Sequence, residues 1–482
     1  MSFISLSFAA FFFITVVLYR AAARLGERAV FAQKILLLAA SLVFYAFADL
    51  RFLPFLAYAI AVSYLGGLFC KSRISLAAFI LADLAPLLAI KYVPQAAGVR
   101  WLFPLGISFF TFQSAGYIAD VYKKKVEPEK SLLNVALFVS FFPVISSGPI
   151  QRAGSLIPQL NSVHGFSYDD STDGLRLFAW GLFKKLVIAD RIALYVNYVY
   201  GNAGERYGLA LLLATLLYSF QIYCDFSGYS DMAIGVARYL GFDVGKNFDH
   251  PYLSQSVGEF WRRWHISLSS WLRDYVYIPL GGSRVALPRI YLNLILTFLA
   301  SGIWHGSTWN FVIWGALHGM FLCAERATKG AREKMQIPAW LNVAITFCLV
   351  TFAWIFFRAK DVSESALVIR KVATIPTEII PFVNLVKSDG LKEALHVMLS
   401  MVGEAGGGIK GMAQTLCLLA IFVAAQIATK NESGLSFIKK KKAFFRWAIY
   451  ILCLLALLYT LPLKLSLQEQ NSYSTNFIYQ NF

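Results

Sequence analysis

Runs of apolar residues recur along almost the whole chain, and their length marks them as helices rather than strands. They fall at about residues 4–19, 34–48, 51–70, 74–91, 101–118, 131–148, 174–197, 208–223, 290–304, 308–325, 338–357, 411–428 and 444–463. A helix needs about 20 apolar residues to cross a bilayer, because backbone amides in hydrocarbon have to be satisfied within the segment itself. The pattern therefore predicts an all-α, polytopic integral membrane protein with about 11–13 transmembrane or re-entrant helices, the shorter runs being re-entrant or tilted.

The polar positions between the runs carry the orientation. Arg20 to Lys34 is basic, Ala48 to Arg51 nearly neutral, and Lys71–Arg73 and Lys123–Lys125 are basic again. Basic loops stay on the cytoplasmic side, so the N-terminus is expected outside. Arg326–Lys334 and Lys439–Lys442 are then cytoplasmic, which leaves about residues 359–410 as an external segment with a Gly-rich end, Gly406–Gly408. We expect one membrane domain over residues 1–482, with N-terminal spans at 1–100, a core carrying the motifs at 101–325, and C-terminal spans at 326–482. The least membrane-like stretch runs from about Cys224 to Gly282, where charges, prolines and glycines interrupt the hydropathy. Irregular backbone at membrane depth is tolerated where protein buries it or where it lines a cavity, which makes this a place to look for a site.

Composition agrees with this reading and narrows it. Hydrophobic residues make up 58% of 482 positions and charged residues 15%, too apolar for a soluble surface. The formal charge of +17 comes from 44 Lys and Arg against 27 Asp and Glu. The basic residues cluster in short loops beside apolar runs and form no basic stripe interleaved with aromatics, so nucleic acid is excluded as a partner. The six cysteines are scattered without a CxxC pair, which indicates neither a disulfide framework nor a zinc site. The first run has no basic region before it and no small-residue cleavage site after it, so it reads as a retained span.

Chemistry concentrates in two histidine-bearing stretches. From Trp261 to Asp274, helical spacing sorts Trp261, Trp264, Leu268, Trp271 and Leu272 onto an apolar face, and Arg262, His265, Ser269 and Arg273 onto a polar stripe. The stretch reads as an interfacial amphipathic helix with snorkelling arginines, and His265 stays open between a functional and a structural role. The second stretch runs from Ser301 through Trp304, His305, Gly306, Trp309 and Asn310 to His318 and Gly319, between and within strongly apolar runs. An ionisable residue there faces a cavity, a partner or a reaction path by default, and small residues around His305 open space for a ligand. On one continuous helix His305 and His318 would lie about 20 Å apart along the axis and near opposite faces, so His318 is read as structural.

A buried imidazole suits removal of a proton from a sugar hydroxyl as its oxygen attacks a thioester carbonyl. Asn310, Trp304 or backbone amides near Gly306 could steady the developing oxyanion. The thiol of Cys224 sits between Tyr223 and Asp225, and a neighbouring acid argues against a reactive thiolate. Two Gly/Pro-broken stretches, Pro104–Gln113 and Phe142–Arg152, read as kinked helices that line a cavity or as simple packing kinks.

These stretches taken together resemble the membrane-bound O-acyltransferase family and, within it, the branch that acetylates alginate. The similarity runs from PLGISFFTFQ at Pro104 through FFPVISSGPIQR, YCDFSGYSDMAIGVARYLGF, NFDHPYLSQSVGEFWRRWHISLSSWLRDYVYIPLGGSR and SGIWHGSTWNFVIWGALHG to the terminal FIYQNF. The resemblance implies a fold of helices around a central tunnel, with His305 as the catalytic residue and His265 near the tunnel on the donor side. It also implies a cytoplasmic acyl thioester such as acetyl-CoA as donor substrate, with no bound cofactor; a metal site built from His265, His305 and an Asp is not expected, because no i,i+4 His pair or HExxH spacing is present. The acetyl group would leave outward for a polysaccharide acceptor, with the help of a periplasmic or extracellular acetyltransferase partner. The expected location is the inner or plasma membrane of a bacterial cell, in contact with membrane lipids. Arg262, Arg263, Arg273, Asn310, Trp304 and Trp309 are candidates for binding the donor or lining the tunnel. The alternatives are D-alanyl transfer from a carrier protein to teichoic acid, and a polysaccharide or lipid transporter without chemistry of its own.

Overall fold

The computed structural model describes residues 1–97, 103–378, 383–384, 386–390 and 408–469. Part of the expected external segment and the terminal FIYQNF motif lie outside the described residues. Among the described residues every regular element is helical. The first group comprises α1 (Leu6–Ala22), α2 (Ala29–Ala46), α3 (Leu53–Phe69), α4 (Arg73–Ala97) and α5 (Ile107–Tyr122). The middle of the chain adds α6 (Leu132–Ser140), α7 (Ala153–Leu160), α8 (Tyr168–Leu182), α9 (Asp190–Gly201) and α10 (Gly208–Leu240). Then follow α11 (Val257–Arg263), α12 (Ile266–Leu272), α13 (Leu287–His305), α14 (Trp309–Ala327), α15 (Lys329–Met335), α16 (Ala339–Arg358) and α17 (Val362–Ala373). Helices Gly408–Ala428, Gly434–Lys439 and Ala443–Glu469 close the chain.

Among the described residues eight helices are long and apolar enough to cross a membrane, and α1 is a shorter apolar helix. The protein is thus a multi-pass membrane protein. Three of the expected runs depart from a plain lipid-facing helix. The run at 131–148 forms only the nine-residue α6 before the chain turns, and the run at 174–197 is split by a wider π-helical turn, Phe183–Ala189. In α5 every residue from Ile107 to Val121 is buried, so this helix is packed inside protein instead of facing lipid.

The largest departure from the hydropathy pattern is α10, which runs 33 residues without a break through Cys224, Asp225 and Asp231. Its carboxylates are matched from the side. Lys185 lies 2.5 Å from Asp225 and 2.7 Å from Asp190, and Lys184 lies 2.7 Å from Asp231. The π-helical turn presents these two adjacent lysines to one neighbour, α10. Paired and hydrogen-bonded charges can be buried where isolated ones cannot, so residues that look like an interruption belong to a continuous core helix.

Candidate active site

Two antiparallel helices, α13 and α14, meet at the stretch that carries His305. They approach through glycines: a Cβ added to Gly302 would overlap the Phe311 carbonyl and come 3.4 Å from Gly315 Cα, and one on Gly315 would overlap the Phe298 carbonyl. Only hydrogen fits between the two backbones. The helix α13 ends at His305 because Gly306 is fully extended (φ −166°, ψ 165°), and α14 starts after Thr308. His305 and His318 therefore sit on separate helices, not on the single helix considered from sequence. Trp314 lies between them, 5.0 Å from the His305 ring and 4.9 Å from the His318 ring. His318 Nδ1 accepts a hydrogen bond from Trp261 Nε1 at 3.2 Å, a bond that ties α14 to α11.

A third helix holds the last turn of α13. Lys91 on α4 donates to the carbonyl of Trp304, and Tyr92 Oη donates to the carbonyl of Ile303 at 2.6 Å. The final carbonyls of a helix lack partners within the helix and carry partial negative charge, so a buried ammonium there is doubly matched. Lys91 and Tyr92 were not singled out in the sequence. The available signal was a lone lysine at the end of the apolar run 74–91.

The Trp261–Asp274 stretch is not one helix. It breaks between α11 and α12, with Trp264 extended and His265 at φ 42°, ψ 55°, a left-handed conformation uncommon for a residue with a side chain. The apolar face survives the break: Trp261, Trp264, Leu268, Trp271 and Leu272 are all buried. His265, expected on a polar stripe, is instead fully buried, with its ring 4.7 Å from Phe226 and 6.3 Å from Phe109. The loop after α10 supplies its partner, because Asn247 Oδ1 lies 3.1 Å from His265 Nδ1 and also accepts from the backbone N–H and hydroxyl of Ser267. An acceptor at Nδ1 places the proton there and the basic lone pair at Nε2.

The two imidazoles share one neighbour. The Trp304 indole is 4.6 Å from the His305 ring and 6.2 Å from the His265 ring, and its Nε1–H is buried with no hydrogen-bond partner among the described residues. An indole N–H in that state is available to an oxygen atom of a ligand. His305 itself is 1% exposed, enclosed by Trp304, Trp314 and Phe357.

The remaining candidates separate clearly. Asn310 is buried with its amide donating to the Ala359 carbonyl at 2.8 Å, which fastens α14 to the end of α16. Trp309 is 73% exposed at the start of α14. Arg262 is exposed, and Arg263 pairs with Glu259 at 2.7 Å one turn earlier in α11. Arg273 reaches Asp274 at 2.9 Å.

The profile of the membrane-bound O-acyltransferase (MBOAT) family matches residues 122–362, which contain both buried imidazoles and their surroundings. A peptidoglycan O-acetyltransferase of Helicobacter pylori is 38% identical over 388 residues, covering 70% of this chain and 73% of that protein. The chain belongs to the membrane-bound O-acyltransferase family. It is a multi-pass membrane acyltransferase, as the resemblance of its motifs implied. A second MBOAT relative, a Pseudomonas aeruginosa protein described as "Probable alginate O-acetylase AlgI", is 45% identical over 260 residues. That match covers 54% of this chain and 49% of the relative, so the chain spans about half the length of that protein. A teichoic acid D-alanyltransferase of Bacillus subtilis is more distant, 29% identical over 284 residues, 53% of this chain and 69% of that one.

Proposed function

We propose that this acyltransferase takes an acetyl group from a cytoplasmic thioester, acetyl-CoA or an acylated carrier, and passes it across the membrane for O-acetylation of an exported or cell-surface polysaccharide. The observation that carries the reading is the pair of buried imidazoles on either side of the Trp304 indole, at the end of a helix gripped by Lys91 and Tyr92. Acetyl is favoured over D-alanyl because the acetylating relatives are 38% and 45% identical and the alanylating one 29%.

In this proposal His305 is the general base. Its imidazole takes the proton from the attacking hydroxyl while that oxygen forms a bond to the thioester carbonyl carbon. The tetrahedral intermediate then collapses, the carbon–sulfur bond breaks, and the departing thiolate receives the proton. The Trp304 Nε1–H, which has no hydrogen-bond partner among the described residues and whose ring neighbours both imidazoles, would steady the oxyanion. His265, with its proton fixed at Nδ1 by Asn247, offers Nε2 toward the donor side. A proton transfer of this kind contributes about 10²–10⁴ in rate. A periplasmic or extracellular acetyltransferase partner completes delivery to the polymer.

The test is to give the purified protein acetyl-CoA labelled in the acetyl group and, separately, an acetylated and a D-alanylated carrier. Release of free thiol with loss of label from an acetyl donor supports the reading. Activity only with the D-alanylated carrier contradicts it.

A further inference from the structure

The loop between α10 and α11, residues 241–256, supplies Asn247 to His265, and it also reaches the C-terminal part of the chain. His250 sits in this loop with a left-handed backbone (φ 50°, ψ 52°) and a side chain only 11% exposed. A residue with a side chain keeps that conformation only where its surroundings hold it. Here they supply two acceptors. Nδ1 faces the Asp249 carboxylate at 3.0 Å, and Nε2 faces the Thr429 hydroxyl at 3.0 Å. That hydroxyl donates its one hydrogen to the Ala425 carbonyl at 2.8 Å, so its oxygen accepts from the ring. His250 thereby fastens the loop to the C-terminal end of the helix Gly408–Ala428. A second tie runs beside the first. Tyr223 Oη donates to Gln426 Oε1 at 3.0 Å, and the Tyr223 ring lies 5.9 Å from both Phe248 of the loop and Phe422 of the helix. This helix lies outside residues 122–362, the part that matches the family profile.

The other side of the loop governs where His265 sits. The Asp249 N–H donates to the Arg263 carbonyl at 2.9 Å, at the end of α11, and the Phe248 ring packs 5.1 Å from Trp264 and 6.4 Å from His265. Asn247 meets the start of α12. The first amides of a helix have no acceptor within it and need one from outside. The Ile266 N–H donates to the Asn247 backbone carbonyl at 2.9 Å, and the Ser267 N–H donates to Asn247 Oδ1 at 3.3 Å, the same oxygen that lies 3.1 Å from His265 Nδ1. Asn247 and His250 are three positions apart, so the contact that holds His265 and the contact that holds the C-terminal helix belong to one short segment.

We infer that His250 is a positioning residue for the His265 imidazole: it clamps the loop between the helix Gly408–Ala428 and α12, and so keeps the Asn247 amide on Nδ1. The C-terminal helix thus contributes to the site through Thr429, although it touches neither imidazole in the clamp. The part of His265 in acyl transfer rests on the reading above, whereas the clamp itself is a matter of placement that is measurable without activity.

The experiment is amide-resolved hydrogen exchange on the full-length protein in lipid nanodiscs, with turnover measured on the same samples. Wild type is compared with His250→Gln, with Thr429→Val, which keeps the shape and removes the acceptor, and with Thr429→Ser, which retains the acceptor. Exchange at Ile266 and Ser267 should quicken by about tenfold in His250→Gln and in Thr429→Val, while the amides of α13 and α14 around Gly302 and Gly315 keep their wild-type rates. Thr429→Ser should match wild type. Turnover adds a readout that a merely structural role would not move. Thr429→Val should lower it by about threefold or more, yet cause no further loss in an Asn247→Ala background, because both changes act through one contact. Unchanged exchange at Ile266 and Ser267 in both variants would overturn the inference. So would faster exchange spread equally over α13 and α14, which marks general loosening, and so would losses that simply add in the double variant. If exchange quickens as expected while Asn247→Ala alone leaves turnover unaltered, the clamp stands and the role of His265 in the reaction falls.

Discussion

The Nδ1 atom of His265 lies 3.1 Å from Oδ1 of Asn247, and that oxygen also accepts from the Ser267 N–H and hydroxyl. Three donors converging on one carbonyl leave little freedom in the amide, and the amide in turn fixes the tautomer of an imidazole held in a left-handed backbone conformation. Asn247→Ala should therefore reduce acetyl transfer by about tenfold or more, the cost of one hydrogen bond to a group whose orientation matters. Asn247→Asp, which retains an acceptor at the same position, should recover part of the loss. Polymer acetylation at matched protein level checks both variants, and an unchanged rate in Asn247→Ala would mean that the tautomer of His265 is irrelevant to turnover.

Lys91 acts on the other imidazole through backbone. Lys91→Met removes the donor to the Trp304 carbonyl, so the last turn of α13 should loosen and His305 lose its placement. We expect about a tenfold drop in kcat with little change in KM, partial rescue by Lys91→Arg, and a loss of roughly 1–3 kcal/mol in stability from the unpaired carbonyl. Steady-state kinetics of the two variants decide the matter; a rise in KM alone would place Lys91 in substrate binding instead.

Asn310 should behave as a structural tie. Asn310→Ala breaks the bond to the Ala359 carbonyl and should destabilise the protein by about 1–2 kcal/mol, with folded protein retaining its turnover. Trp309→Ala, at a 73% exposed position, should leave activity within about twofold. Thermal unfolding in detergent combined with turnover per folded molecule separates these outcomes. A large loss of turnover without loss of stability in Asn310→Ala would restore it as an oxyanion donor.

The crossing of α13 and α14 sets the depth of His305. Gly302→Ala forces a Cβ against the Phe311 carbonyl, so either the helices separate or the fold weakens. Overpacking of this kind costs typically about 1–3 kcal/mol. We expect a lower unfolding temperature and reduced turnover together, while Gly204→Ala, in open space on a loop after α9, should change neither. Equal behaviour of the two variants would show that the close approach is not needed.

Much of this architecture is legible in hydropathy because a bilayer demands uninterrupted apolar length, and that demand marks the helices of the long runs. Hydropathy does not report pairing. Asp225 and Asp231 break the apolar pattern of α10, yet Lys184 and Lys185, about 40 residues earlier in sequence, neutralise them and the helix continues. Helical periodicity failed at His265 for a related reason, because the bond to Asn247 and the burial of Trp264 hold a break that local spacing cannot reveal. The motifs drew attention to His305 and His265, and the structure buries both. That both rings neighbour one indole, and that Lys91 grips the end of α13, depends on tertiary contacts, the second between residues 213 positions apart.

The most direct test of the account is the acetyl content of surface polysaccharide from a strain lacking this protein, complemented with wild type or with His305→Ala at equal membrane abundance. We predict that wild type restores acetylation and that His305→Ala leaves it at or near the level of the deletion, with polymer export intact. Full acetylation with His305→Ala, or normal acetylation with lost export, would contradict a catalytic imidazole at the end of α13.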